Sequence, residues 1–279
     1  MHLDLFSWIL VVLFGLAIGS FLNVVIHRLP RMMAAQWAAE ASAEATEVDK
    51  QPLPQGRYNI AVPSSHCPHC GHELSWYENI PVLSFLWLQG RCQACRTPIG
   101  WRYPFIEMVC AALFAWNFGQ HGLSASALAW SGFAAALIAL AAIDADTTLL
   151  PDAITQPLVW SGLMAAGLGL TQINLNNALW GAVVGYLFLW SVYWLFKLIT
   201  QKEGMGQGDF KLLAALGAWL GWPALLSLVL IASLSGVAYG LWLRARQRMP
   251  QDGQIPFGPF LVFAGLWVMV SGPLPDLHL

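Results

Sequence analysis

LLAALGAWLGWPALLSLVLIASLSGVAYGLWL, residues 212–243, runs for 32 positions without a Lys, Arg, Asp or Glu. One helix crosses a bilayer in roughly 20 mostly apolar residues. The stretch is therefore too long for one upright span and short for two. Gly221-Trp222-Pro223 sits in its middle, and proline removes a helix hydrogen bond and clashes with the preceding turn. It reads as two helices joined by a tight break. Working outward, residues 5–26, 124–143, 154–173, 177–196 and 255–275 are each long enough and uncharged, and 104–119 is interrupted by Glu107 alone. Hydrophobic residues make up 57% of the chain and charged ones 10%, against about 25% charged in ordinary soluble domains. A soluble fold would have to bury every one of these runs as a core helix. The expected class is an all-α polytopic membrane protein of about eight transmembrane helices.

Loop charges support that count, because cytosolic loops collect Lys and Arg. With the N-terminus outside, where Asp4 is the charged side chain, alternation places Arg28, Arg31, Lys50, Arg57, Arg91, Arg96 and Arg102 in one cytosolic segment. Lys197, Lys202 and Lys211 fall in a second, and Arg244, Arg246 and Arg248 in a third, so all 13 basic residues lie inside. Reading 212–243 as one span would put the last three on the opposite side from Lys211. The expected organisation is a first transmembrane helix (1–26), a cytosolic domain (27–103) and a transmembrane core (104–279). Residues 1–26 lack the basic start and small-residue cleavage site of a signal peptide, so the first span is expected to stay. Residues 34–49, rich in Ala and Glu, are expected as a short surface helix or a disordered insert. Pro52, Pro54, Gly56 and Pro63 punctuate an extended stretch after it. The net charge of −2 and the scattered basic residues give no nucleic-acid footprint.

Within 27–103, Cys67-Pro68-His69-Cys70 and Cys92-Gln93-Ala94-Cys95 form two Cys-x-x-Cys pairs. Two such knuckles suit one tetrahedral Zn²⁺, each tight turn presenting two thiolates. Disulfides rarely persist in the cytosol, though a pair of them or a redox dithiol is the other reading. The expectation is a small zinc-ribbon-like domain with Cys67, Cys70, Cys92 and Cys95 as ligands of a structural ion. Gly71 follows the first knuckle where positive φ is needed. His66, His69 and His72 read as solvated neighbours, and Cys110, in an apolar run, as a small packing residue.

Carboxylates inside a membrane are costly and call for a reason. Asp144, Asp146 and Asp152 cluster at the inner end of one span, and Gly206-Gln207-Gly208-Asp209 precedes another. Alternation brings both clusters to the same face. Two close carboxylates share a proton: the ionised one takes a proton from water while the other polarises a scissile carbonyl. Gly206 and Gly208 allow close approach of a substrate strand and conformations closed to other residues. The plainer readings are Asp209 as a helix N-cap, Asp144 and Asp146 as solvated helix-end residues, and Asp152 as a turn or cap residue.

GMGQGDFKLLAALGAWLG and IDADTTLLPD resemble the type IV prepilin peptidases (leader peptidase/N-methyltransferase), a family of GxGD aspartic peptidases. GSFLNVVIHRLP (19–30), the double CxxC module with ENIPVLS (78–84), RYPFIE (102–107) and IPFGPFL (255–261) are similar too, in the family's order. By position, the resemblance implies that Asp144 and Asp209 are the catalytic aspartates and that the four cysteines bind metal. It implies cleavage of the basic leader from type IV prepilins or type II secretion pseudopilins, after a glycine, at the cytosolic face of the bacterial inner membrane. Methylation of the new N-terminal residue by S-adenosylmethionine would follow, although the sequence shows no Gly-rich turn for that donor. Asp144, Asp146, Asp152, Glu203 and Asp209 would attract a positive leader. A GxGD peptidase with another substrate, a proton or ion relay and a non-catalytic assembly protein are the alternatives.

Overall fold

The computed structural model describes residues 4–44, 58–202, 204–248 and 255–273. Lys50, Arg57, Glu203, Pro52, Pro54, Gly56 and residues 45–49 of the Ala/Glu-rich segment lie outside the described residues. The chain divides into two compact units, Met1–Leu123 and Ser124–Leu279.

In the first unit, α1 (Leu5–Glu44) continues through Pro30 instead of stopping at the end of the apolar run. Residues 34–44 therefore extend the first helix rather than forming a separate one, as good helix formers favour once a helix is under way. It packs on α3 (Arg102–His121). A Cβ on Gly15 would come 2.7 Å from the Ala111 Cα, and one on Gly19 would come 2.6 Å from the Glu107 Cα. Gly-x-x-x-Gly spacing lets two membrane helices meet backbone to backbone. Cys110 is fully buried in α3, as a packing residue should be.

The second unit comprises α4 (Ala125–Thr147), α5 (Asp152–Gly167), α6 (Leu175–Thr200), α7 (Gln207–Leu220), α8 (Leu225–Ala245) and α9 (Gly258–Ser271). Helix α7 is the hub, packed by α5, α6 and α9. Gly181 of α6 and Gly217 of α7 bring those two backbones together, leaving no room for a Cβ on either. Phe133 of α4 stacks on Trp219 of α7 with ring centroids 4.8 Å apart. The Trp219 indole N–H donates to the Leu158 carbonyl at 2.9 Å, satisfying a donor that would be costly to bury alone.

The break expected at Gly221-Trp222-Pro223 is present. Gly221 takes φ +82°, a 3₁₀ turn covers Trp222–Ala224, and α8 begins at Leu225. The spans are less uniform than their uncharged runs. Among the described residues, four helical stretches are long and apolar enough to cross a membrane: Leu5–Ala41, Ala125–Thr147, Leu175–Thr200 and Trp222–Ala245. Helices α5, α7 and α9 have 16, 14 and 14 residues, about 21–24 Å at 1.5 Å per residue, short of a hydrocarbon core of about 30 Å. Left-handed glycines trim them: Gly169 follows α5, Gly221 ends α7 and Gly272 ends α9.

Candidate active site and metal centre

The GxGD-region and IDAD-region aspartates lie near enough to influence each other electrostatically, one at the end of a helix and the other at the start of the next but two. Asp144 lies in the last turn of α4 and is 4% exposed; Asp209 lies in the first turn of α7 and is 6% exposed. The Gly258 N–H, first in α9, donates to the Asp144 carboxylate at 2.9 Å. A helix leaves its first four N–H groups unsatisfied and its N-terminus partly positive, so α9 holds a carboxylate there. Asp209 is likewise held: the N–H of Gly206, the residue capping α7, donates to its carboxylate. Asp144 is close enough to Asp209 for the two charges to repel. Capping and pairing thus coexist at Asp209, which reaches back from the third helical position instead of occupying the cap.

The other acidic residues stand apart. Asp146 is exposed and engaged in an interaction of its own. Asp152, the first residue of α5, accepts from Lys211 Nζ at 2.6 and 2.7 Å. It ties α5 to α7 two residues beyond Asp209.

The glycines of the GxGD stretch do not use the conformations closed to other residues. Gly206 is exposed with φ −76° and ψ 146°, a conformation open to any residue. Gly208 needs no special backbone angle either; its role is space, because a Cβ there would sit 2.7 Å from the Leu150 Cβ. The reason is its place in the first turn of α7, pressed against the connection between α4 and α5. Two contributors escaped the sequence reading. Gly258 is necessary because a Cβ on it would approach the Asp144 Oδ2 to 2.6 Å; its signal was the IPFGPFL string that contains it. Lys211 carried no signal beyond a basic residue after Asp209.

In the first unit the four cysteine sulfurs all lie within 4.8 Å of one another. Cys67 Sγ is 3.8 Å from Cys95 Sγ, and Cys70 Sγ is 4.0 Å from Cys92 Sγ. Four ligands at a Zn–S distance of about 2.3 Å around a tetrahedron stand about 3.8 Å apart, whereas a disulfide needs about 2.05 Å. The set fits a tetrahedral ion and excludes disulfides among the described residues. Both knuckles share one backbone plan. Cys67 N–H donates to His72 O and Cys92 N–H to Thr97 O, each at 2.9 Å. Gly71 (φ +72°) and Arg96 (φ +61°) occupy the same left-handed position, so the second knuckle accepts there the conformation Gly gives freely.

Hydrogen bonds favour the thiolate form at two of these sulfurs, Cys67 and Cys95. The Thr97 hydroxyl and backbone N–H bring the Cys95 thiol down to about 6. The N–H groups of Cys70 and His69 lower Cys67. Cys70 receives the His72 N–H, yet burial and the three neighbouring thiols outweigh it and push Cys70 up to about 11. Four thiolates cannot share this volume without a cation among them. His72 is more than a solvated neighbour: its Nε2 lies 3.1 Å from the buried Glu78 carboxylate, which also accepts the Ser75 N–H at 2.7 Å.

Comparison with known proteins agrees with this division. Residues 13–121 match the bacterial peptidase A24 N-terminal domain, and residues 131–241 match the type IV leader peptidase family. The chain is similar to the prepilin leader peptidase/N-methyltransferase of Burkholderia pseudomallei strain 1026b, 52% identical over 94% of this chain and 84% of that protein. Proteins of the same name from Aeromonas salmonicida (50% identical; 93% and 88% covered) and Pseudomonas aeruginosa (49%; 92% and 87%) are also similar. No solved structure matches the chain.

Proposed function

The chain belongs to the type IV leader peptidase family, and from that premise we propose that Asp144 and Asp209 form its catalytic pair. The protein is a peptidase that removes the leader from prepilins or type II secretion pseudopilins, and an N-methyltransferase that then modifies the new N-terminus. The observation that carries the pair is two buried carboxylates within repulsive range, each fixed by a backbone N–H at a helix start. In such a pair the ionised member draws a proton from water while the protonated member donates to the scissile carbonyl oxygen. Gly206, exposed beside Asp209, leaves an open backbone edge for an extended substrate strand, and Gly208 holds that edge against Leu150.

In this reading eight helices cross the bacterial inner membrane, the short α5, α7 and α9 relying on their neighbours. The site opens at the cytosolic face, where the basic loops lie and where a basic leader ahead of an apolar helix would present its cleavage point. Residues 27–103 form the cytosolic domain, with a structural Zn²⁺ on Cys67, Cys70, Cys92 and Cys95. Residues 104–279 carry the peptidase core after the first span (1–26). S-adenosylmethionine is the methyl donor. The test is incubation of the purified protein with a prepilin peptide, with and without that donor, and mass analysis of products. A single cut after glycine, followed by a 14-Da gain only with donor, is expected; an intact peptide after incubation with folded, metal-loaded protein contradicts the reading.

A further inference from the structure

Between the two knuckles the chain does something a soluble metal module has no need to do. It turns through a short helix, α2 (Leu83–Trp87), whose outer side is apolar and exposed. Leu86 is 62% exposed and Trp87 84%, with Leu83 exposed beside them. Positions i, i+3 and i+4 share one side of a helix, so the three form one patch. Glu107 decides where that patch lies. Its buried carboxylate accepts the Val82 N–H, at the start of α2, at 2.7 Å. Glu107 is five residues into α3, about 7.5 Å along that helix at 1.5 Å per residue. The bond therefore seats α2 beside the first turns of α3, which the sequence reads as a span, while Ser84 and Trp87 also line a small cavity with Gln93 of the second knuckle. Val82 takes φ +58° to make this connection, a conformation costly for a β-branched residue and kept only where the surroundings impose it. Phe85, on the inner side of α2, packs edge-on against Trp101 at 4.9 Å, immediately before α3. Trp101 and Phe105 are themselves exposed, extending the apolar surface of α2 onto α3, and the exposed Arg91 and Arg102 lie close to it in the chain.

We propose that α2 is an interfacial membrane anchor for the metal module, with Leu83, Leu86 and Trp87 set into the headgroup–acyl boundary of the leaflet that α3 enters. Tryptophan favours that depth, and exposed apolar patches rimmed by basic residues mark such contacts. The patch is continuous with the lipid-facing surface of α3, which names a bilayer rather than a protein as its occupant. The function of Glu107, the one charge interrupting its apolar run, is to hold this anchor at depth. The inference rests on α3 crossing the bilayer and not on the peptidase chemistry.

The test places the full-length protein in nanodiscs containing anionic lipid and a photoactivatable phospholipid, then maps labelled peptides by mass spectrometry. Label on residues 83–91 as well as on α1 and α3 is expected. In the Leu86→Ser/Trp87→Ser variant the label on 83–91 falls to background while the label on α3 and the bound zinc are unchanged; Trp87→Phe keeps it. Label on α3 but none on 83–91 in the wild type overturns the proposal, and hydrogen-exchange protection of 83–91 in that case assigns the patch to a protein partner. Leader cleavage is read in the same nanodiscs. Cleavage without label on 83–91 removes the anchor alone, and label without cleavage removes the peptidase reading alone.

Discussion

At the scale of single residues, the site depends on atoms that the sequence hides in plain glycines. Gly258 supplies a backbone N–H to Asp144 and has no Cβ to collide with it. Gly258→Ala is expected to push α9 off the carboxylate and to lower leader cleavage about 100-fold, the usual cost of a misplacement near 1 Å. Unchanged cleavage would show that this hydrogen bond does not position Asp144. Asp152 offers the opposite case. Its ion pair with Lys211 has side chains 54% and 30% exposed, and an exposed pair contributes only about 0.2–1 kcal/mol. Asp152→Asn is expected to lower the thermal midpoint slightly and to retain most of the cleavage activity. A loss as deep as that of a buried aspartate would place Asp152 in the catalytic machinery. Asp144 and Asp209 stood out in the sequence as carboxylates at span ends against apolar surroundings, and the resemblance singled them out as the proposed pair. The part of Gly258 was not legible, since one glycine among 25 reveals its partner only when a helix end arrives 114 positions away.

Among the elements, the helix inventory was largely legible and its limits were not. The break at Gly221-Trp222-Pro223 was written in residue types that cannot continue a helix. The continuation of α1 through Pro30 was not, because a proline's lost hydrogen bond can be outweighed by helix formers on both sides. Nor did uncharged run length reveal the 14 residues of α7, a helix buried from Leu212 to Trp219 on every side because other helices surround it. The α6–α7 crossing rests on Gly181 and Gly217 in backbone contact. Gly181→Ala is expected to force these helices apart at a cost of about 1–3 kcal/mol, read as an earlier unfolding transition in detergent. A midpoint equal to the wild type would mean that the crossing is looser than the structure shows. The knuckles make a separate prediction. Chelation of the metal is expected to speed hydrogen exchange across residues 60–103 before the membrane helices respond, because structural zinc couples its binding to folding. An unchanged exchange pattern there after zinc is removed would contradict a structural role.

For the whole molecule, two compact units correspond to two matched family segments, one ending at residue 121 and the next beginning at 131. The first carries the metal knuckles and the second both buried aspartates. A low-charge, apolar chain holds its ionisable groups inside only where geometry compensates them, and Asp144, Glu107 and Asp209 each accept a backbone N–H. The proposed leader cleavage requires the two aspartates to act together as one catalytic pair. The measurement that tests this most directly is cleavage of a prepilin peptide by wild type, Asp144→Asn, Asp209→Asn and the control Asp146→Asn, each verified as folded and zinc-loaded. Each of the first two substitutions is expected to reduce cleavage at least about 100-fold, the lower end of what a positioned acid or base contributes, while Asp146→Asn cleaves nearly as wild type. Near-normal cleavage by either Asp144→Asn or Asp209→Asn would contradict the pair.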